Sequence, residues 1–472
     1  VAGRLAAFAA ALPDGLLATA PEDLEPHLTD WRGQKTGHAD ALARPRSLDE
    51  CVALVKAAAA GNVALVPQGG NTGLVGGSVP EPAGGRPTVL VSMRRMNAIR
   101  GIDPAGLTMV AEAGAILSDV HAAAGDVGCA FPLSLGAKGS ATIGGLVSTN
   151  AGGTQVLRHG TMRSLVLGLE AVLPDGTVLD QLAPLRKDTA GYDVKQLLIG
   201  AEGTLGLVTA AALKLVPAPA QRVVAWAGVP SVPAALQLLA RIRARVGERI
   251  ESFELLPDDG LALVLLHLPG TRAPLGRAHR FHCLIELADA DPQVLLAHPL
   301  EEALEEAVAG GIAEDATIAQ TEAQAAALWA LRELLPEAEK RDGPTLKNDV
   351  AVAVASVPAF HAAAEAAAER AFPGARPLVF GHLGDGNLHW NLRPPPDTDR
   401  KTWLEAHGEA ARRLLHDVVK AHGGTISAEH GIGTLKASEL ARTGDPGRLR
   451  VMRAVKAAID PLGILNPGKI FG

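Results

Sequence analysis

The stretch Pro67-Gln68-Gly69-Gly70-Asn71-Thr72-Gly73-Leu74-Val75-Gly76-Gly77-Ser78 places five glycines in twelve residues, directly after the apolar run Asn62-Val63-Ala64-Leu65-Val66. A second such loop reads Gly136-Ala137-Lys138-Gly139-Ser140-Ala141-Thr142-Ile143-Gly144-Gly145 and continues as Ser148-Thr149-Asn150-Ala151-Gly152-Gly153. Without a Cβ, backbone N–H groups can converge on an anion and φ > 0 is open. The Thr, Ser and Asn side chains interleaved with the glycines add donors. Such loops suit a pyrophosphate or the pyrimidine edge of an isoalloxazine. Neither is a G-x-G-x-x-G opening a helix or a G-x-x-x-x-G-K-[ST], so nicotinamide and P-loop readings have no motif behind them.

Outward from the loops, short β-rich runs alternate with helical stretches. Leu48–Gly61 reads as a helix leading into the strand before the first loop. TVLVSM from Thr88, TMVAEAG from Thr108, VLGLEAVLPDGTVLD from Val166 and GLVTAAALKLVP from Gly206 read as further strands. The Pro-rich break at 217–221 ends this ladder. Beyond it, SVPAALQLLARIRARVGERI, LEEALEEAVAGG and AFHAAAEAAAER read as helices, and the apolar run GLALVLLHL, 260–268, as a strand. The expected class is α+β. The expected division is a cofactor domain over 1–217, a substrate (cap) domain over 218–425 and a C-terminal segment over 426–472.

A length of 472 residues exceeds one ordinary core, and 47% hydrophobic with 20% charged residues describes a globular chain. A formal charge of -7, with no basic run or aromatic platform, argues against nucleic acid. Cys51, Cys129 and Cys283 are far apart, which excludes an iron–sulfur or disulfide framework of the chain's own and suits a reducing cytoplasm. The apolar N-terminal residues are followed at once by Glu22, Asp23 and Glu25, which fits an amphipathic first helix better than a leader. The uncharged run Val223–Ala240 contains Gly228, Pro230 and Pro233, so no transmembrane segment is expected.

The two loops, together with Lys187-Asp188-Thr189-Ala190-Gly191-Tyr192-Asp193 and the run Ile199–Val208, resemble the FAD-binding domain of the vanillyl-alcohol oxidase superfamily. Within it the chain resembles the branch of D-2-hydroxyglutarate dehydrogenase, D-lactate dehydrogenase and the flavin subunit of glycolate oxidase, from about Thr36 to Phe471. The resemblance implies a two-part FAD domain, a cap domain and a C-terminal segment that completes the site. It implies that Pro67, Gly69, Gly70, Asn71, Thr72 and Gly73 wrap the pyrophosphate, with Gly76, Gly77 and Ser78 nearby. Pro132, Gly136, Gly139, Ser140, Ile143, Gly144, Gly145, Thr149, Asn150, Gly152 and Gly153 would line the flavin. Glu202, Gly203, Gly206, Val208 and Asn466 would complete the cofactor site. Relatives that tether FAD use a His or Cys in the first loop; this loop has neither, so non-covalent FAD is expected.

A different pattern occupies Gly381-His382-Leu383-Gly384-Asp385-Gly386-Asn387-Leu388-His389-Trp390-Asn391. Asp385-Gly386 is a favoured two-residue hairpin turn. Counting outward pairs His382 with His389, with Cβ atoms roughly 4.5–5.5 Å apart, close enough to share a metal. Glu429, in Ser427-Ala428-Glu429-His430-Gly431-Ile432-Gly433, would supply a third ligand; a His₂Glu set with open positions suits zinc or a similar divalent ion. His430 is placed to act as a base. Both motifs match the branch's metal and base motifs, which implies metal-assisted oxidation of a D-2-hydroxy acid, first of all D-2-hydroxyglutarate, with hydride passing to flavin N5. D-lactate, D-malate or a subunit role in a glycolate-oxidase-like complex are the alternatives. Arg332, Lys347 and Asn391 match substrate-gripping positions, with His430 also at the substrate. Where the branch can place a Thr one turn after the Arg, this chain has Pro336, and a hydroxyl donor is lost. An electron-transfer flavoprotein or a quinone is the expected acceptor, and a homodimer is a further expectation.

Overall fold

Local signals set the elements. Ser47 opens the helix Leu48–Gly61, its side chain accepting from the Glu50 N–H at 3.2 Å, and Asp49 and Glu50 occupy the first turn. Asn62 closes it in the left-handed region at φ 50°. A computed structural model describes residues 1–471, and its contacts divide the chain into two units. The first comprises 1–153, 159–218 and 429–472; the second comprises 154–158 and 219–428.

The first unit holds two principal sheets. One orders Leu17–Ala18, Ala41–Ala43, Thr88–Ser92 and Ala64–Gln68, with parallel pairing among the last three. The other is antiparallel and orders Ile99–Asp103, Thr108–Glu112, Leu207–Lys214, Val166–Val172 and Val178–Gln181. Leu54, Val55, Leu65, Val89, Val91, Leu169 and Leu213 are fully buried in one apolar core, and Ile464 and Leu465 from the end of the chain join it. Those late residues lie along Ala64–Gln68: Leu65 N–H donates to the Ile464 carbonyl and Asn466 N–H to that of Leu65, each at 2.8 Å. The strand that launches the first glycine loop therefore has a neighbour from the far end of the sequence.

The second unit is built on seven strands: β1 Gln221–Val229, β2 Ile250–Pro257, β3 Phe281–Asp289, β4 Asp315–Ile318, β5 Val350–Ala351, β6 Arg376–His382 and β7 Asn387–Arg393. Their spatial order is β4-β1-β3-β2-β6-β7-β5. Its main helices are α1 Val232–Val246, α2 Asp258–His267, α3 Ala297–Ala309, α4 Glu322–Glu333, α5 Leu335–Asp342, α6 Val357–Ala371 and α7 Arg400–Ala421. Period-2 alternation sends each strand's side chains to two cores. Ala225, Phe253, Leu255, Ile285, Val379 and Trp390 pack with residues of α1, α3, α6 and α7. Trp226, Leu256, Leu284, Leu378 and Phe380 pack with α2, α4 and α5.

The run GLALVLLHL corrects one reading: it belongs to the helix α2, not to a strand. A continuous apolar run carries no period to separate the two. The deciding signals are Pro257 at the cap position and the acids Asp258 and Asp259 in the first turn. Among the described residues, no helix is long and apolar enough to cross a membrane.

Candidate active site

In the first unit the two glycine loops pack closely on each other. A Cβ on Gly69 would lie 2.1 Å from the Thr142 hydroxyl oxygen, and one on Gly70 would lie 1.9 Å from the Ser140 carbonyl oxygen. Asn71, at φ 55°, donates through Nδ2 to the Thr29 carbonyl and accepts from Ser78 Oγ at 2.9 Å. Gly73 and Gly139 face open space within 4 Å of the Cβ position. A cavity of about 300 Å³ adjoins Gly69, Gly70 and Asn71, walled also by His27, Asp30, Trp31 and Arg94. Those four residues carry no motif, and only the fold brings them to the loop.

The second loop leads into a short helix, Ile143–Thr149, that sits tight on the sheet: a Cβ on Gly144 would lie 2.7 Å from that of Ala113. Thr149 Oγ1 donates to the Gly145 carbonyl, and Asn150 Oδ1 accepts from the Arg163 N–H at 2.9 Å. Thr149 thus serves its own helix end, and Asn150 ties that end to the first turn of the helix Met162–Leu165. Pro132, Gly152 and Gly153 are buried, and Gly136 is exposed.

Glu202 is bent into the left-handed region at φ 52°, and its carboxylate accepts from the Ile432 and Gly433 N–H groups at 2.7 and 2.8 Å. Burial pushes this carboxyl above its ordinary range, against the pull of the two N–H donors. Glu202 therefore anchors the segment that carries His430. Gly203 lies against Pro67, Gly206 against the Leu198 side chain, and Val208 is buried in its strand. Asn466 Nδ2 donates to the carbonyls of Gly77 and Glu202.

FAD fits what these loops offer. The buried oxygens Thr142 Oγ1 and Asn466 Oδ1, one at the junction of the loops and one beside Gly77, have no hydrogen-bond partner among the described residues. An orphaned buried polar atom is costly, and a polar ligand edge supplies the missing partner.

In the second unit the imidazoles come together by a different register from the one counted outward from Asp385-Gly386. Phe380, not His382, stands opposite His389. The connection has four residues, Leu383 to Gly386: Gly386 N–H donates to the His382 carbonyl at 3.1 Å, and Asp385 Oδ1 accepts from the Asn387 N–H at 3.0 Å. A slip of two residues preserves strand parity, so both rings stay on one face. Their centroids are 6.0 Å apart, edge to face, and each offers a nitrogen within 4.8 Å of the other.

Beneath them lies Glu254 of β2, a residue the sequence did not single out. Its Oε1 meets His382 Nδ1 at 2.5 Å and its Oε2 accepts from Arg332 Nε of α4 at 2.7 Å. Burial alone would raise this carboxyl; the charges of His382 and Arg332 overcome it and hold the group down at about 2. A histidine whose Nδ1 donates to a carboxylate presents Nε2 as the basic nitrogen, the arrangement found behind metal-ligating imidazoles. The residues present thus fit a divalent ion. Arg332 is 7% exposed and lies over the Phe380 ring at 5.0 Å. Lys347 Nζ pairs with Glu339 Oε2 of α5 at 2.9 Å, and Asn391 Nδ2 donates to both oxygens of the same carboxylate. Asn391 Oδ1 accepts from the Asn348 N–H at 3.1 Å. Glu429 and His430 open the C-terminal part of the first unit, directly after Ala428.

Residues 39–181 match the family described as "FAD binding domain", and residues 218–470 match "FAD linked oxidases, C-terminal domain". The chain belongs to the FAD-linked oxidases. Among relatives of this FAD-linked oxidase, D-2-hydroxyglutarate dehydrogenase of Xanthomonas citri pv. viticola is 39% identical over 99% of this chain and 97% of its own length. The mitochondrial D-2-hydroxyglutarate dehydrogenase of Bos taurus is also 39% identical, over 99% of this chain and 83% of its own. A Schizosaccharomyces pombe relative at 34% identity carries the name D-lactate dehydrogenase instead. Two solved structures share the fold of this chain. They are p-cresol methylhydroxylase, with a TM-score of 0.75 at 15% identity over 100% of this chain and 96% of that one, and alkyldihydroxyacetonephosphate synthase, with 0.73 at 19% over 99% and 86%. The architecture is thus a two-domain FAD-binding fold, and the chain is an FAD-dependent dehydrogenase.

Proposed function

We propose that the enzyme oxidises D-2-hydroxyglutarate to the 2-oxo acid with non-covalently held FAD and a divalent ion, zinc first among candidates, at His382, His389 and Glu429. The observation that carries this reading is Glu254, a single buried carboxylate that holds both a candidate metal ligand, His382, and a candidate substrate cation, Arg332. When bound, the flavin supplies a hydride acceptor and the ion a Lewis acid that lowers the pKa of the substrate hydroxyl.

The chain's own residues do the rest. Arg332 spends Nε on Glu254, which orients its terminal nitrogens for a substrate carboxylate. Lys347 supplies a second cation and Asn391 a neutral contact. His430 accepts the hydroxyl proton as the α-hydrogen leaves. The acceptor for the electrons would be an electron-transfer flavoprotein or a quinone.

The test is dye-linked turnover with both enantiomers of 2-hydroxyglutarate, malate and lactate, before and after chelation. Strong D-2-hydroxyglutarate oxidation, lost on chelation and restored by a divalent metal, is expected. Oxidation of D-lactate or D-malate alone reassigns the substrate, and silence with flavin bound favours a subunit that needs partners. His430→Ala should lower turnover by about 10²- to 10⁴-fold with full flavin content. Near-normal turnover, or loss of flavin, removes His430 as the base.

A further inference from the structure

We propose that Glu339 is a selectivity-determining residue that cancels Lys347 and weakens the enzyme's preference for a substrate whose far end carries a second carboxylate. The inference rests on the reading of Lys347 and Arg332 as the substrate's cations. Helix α5 buries Leu335, Ala338 and Glu339, an i, i+3, i+4 stripe in which the third position is an acid. Glu339 is 0% exposed, and such a carboxylate persists only with partners. Its partners are Lys347 Nζ at 2.9 Å and Asn391 Nδ2 at 2.9 and 3.1 Å, both candidate substrate contacts.

The pairing changes what a substrate would meet. Arg332 is matched by Glu254 and Lys347 by Glu339, so each candidate substrate cation already faces an acid. The Lys347 side chain is 32% exposed while the Glu339 carboxylate beneath it is 1% exposed, so Lys347 is the member a ligand reaches. A cation already facing an acid at contact distance attracts a second carboxylate weakly. An uncharged tail loses nothing by the same pairing. Glu339 also fixes Asn391, whose amide has been turned toward it and toward the Asn348 backbone. The tail-binding end is thus balanced between a charged and a neutral tail, and Glu339 sets the balance.

Glu339→Gln keeps the shape and removes the charge. For the holoenzyme, kcat/KM is compared for D-2-hydroxyglutarate and D-2-hydroxypentanoate, which have equal chain lengths and differ in tail charge. The ratio should rise about tenfold in the variant, through the KM of the dicarboxylate, while Glu339→Asp, which retains the charge, stays within about twofold of wild type. Glu339→Leu, extending the apolar stripe, is the second charge-removing variant if the amide does not fold. Binding of both acids by isothermal titration calorimetry separates the two levels of the reading. A shifted binding preference without turnover keeps this role for Glu339 and removes the dehydrogenase assignment. An unchanged ratio in both measurements, or a parallel fall for both acids with a lowered Tm, makes Glu339 merely structural and overturns the proposal.

Discussion

The glycine loops of the first unit and the charged sheet face of the second use opposite materials. The loops present backbone, and their geometry depends on side chains being absent: Gly69 and Gly70 leave no room for a Cβ against Thr142 and Ser140. The sheet face presents long side chains, and its geometry depends on each finding a partner: Glu254 with His382 and Arg332, Glu339 with Lys347 and Asn391. A backbone site is damaged by adding atoms. A side-chain site is damaged by removing one charge from a matched set.

That contrast gives its sharpest expectation at Gly70. Gly70→Ala forces the loops apart, because the new methyl meets backbone and cannot be accommodated by a rotamer. Flavin content, read from the visible absorbance of the purified protein, should fall at least about tenfold, an affinity loss of about 1.4 kcal/mol or more. Gly73→Ala meets open space, so the unliganded protein should melt at the wild-type temperature. Equal effects of the two substitutions would erase the distinction between packed and open glycines.

On the side-chain half, Glu254→Gln leaves Arg332 and His382 without their common acid. Loss of one partner from a buried pair costs about 3–5 kcal/mol. Urea unfolding should show that loss, with bound metal falling alongside it. A stability change under about 1 kcal/mol would mean that the neutral amide satisfies both neighbours.

The smallest effect is a pH dependence in the first unit. Burial lowers the Lys469 ammonium to about 8, against the raising influence of Glu81. Between about pH 8 and the ordinary lysine value, the unfolded chain binds more protons at this site than the folded one, so this group's contribution to stability rises with pH across that window. Below about pH 8 the penalty is fully present. Lys469→Met should flatten the rise; an identical pH profile would place its origin elsewhere.

The same contrast decides how much could be read in the sequence. A backbone site is written in consecutive residues, so both glycine loops and the helix Leu48–Gly61 were visible as text. A side-chain site is collected from separate elements. Glu254 lies 128 positions from His382 and 78 from Arg332, between Phe253 and Leu255 in its strand, and no local pattern marks it. Glu339 was equally hidden, since an acid in the middle of Pro336-Glu337-Ala338-Glu339-Lys340-Arg341 reads as solvated surface until the helix is docked. The hairpin shows a third case. Residue types predicted the turn and the shared face of His382 and His389, but the register depended on Asp385 capping the Asn387 N–H and on Gly386 fitting over the Val352 carbonyl. The run 260–268 failed for a simpler reason, because a short, mostly apolar run fits a strand and a buried helix equally well.

The return of residues 464–466 to the strand Ala64–Gln68 has a consequence for how the protein is made. Asn466 holds the Gly77 carbonyl across 389 positions of chain, so the first glycine loop acquires this support only after residue 466 has left the ribosome. The second unit, whose residues run almost unbroken from 219 to 428, is complete before then. Residues 219–428 are therefore available to fold before residue 466 is, and the unit that carries the glycine loops closes after them.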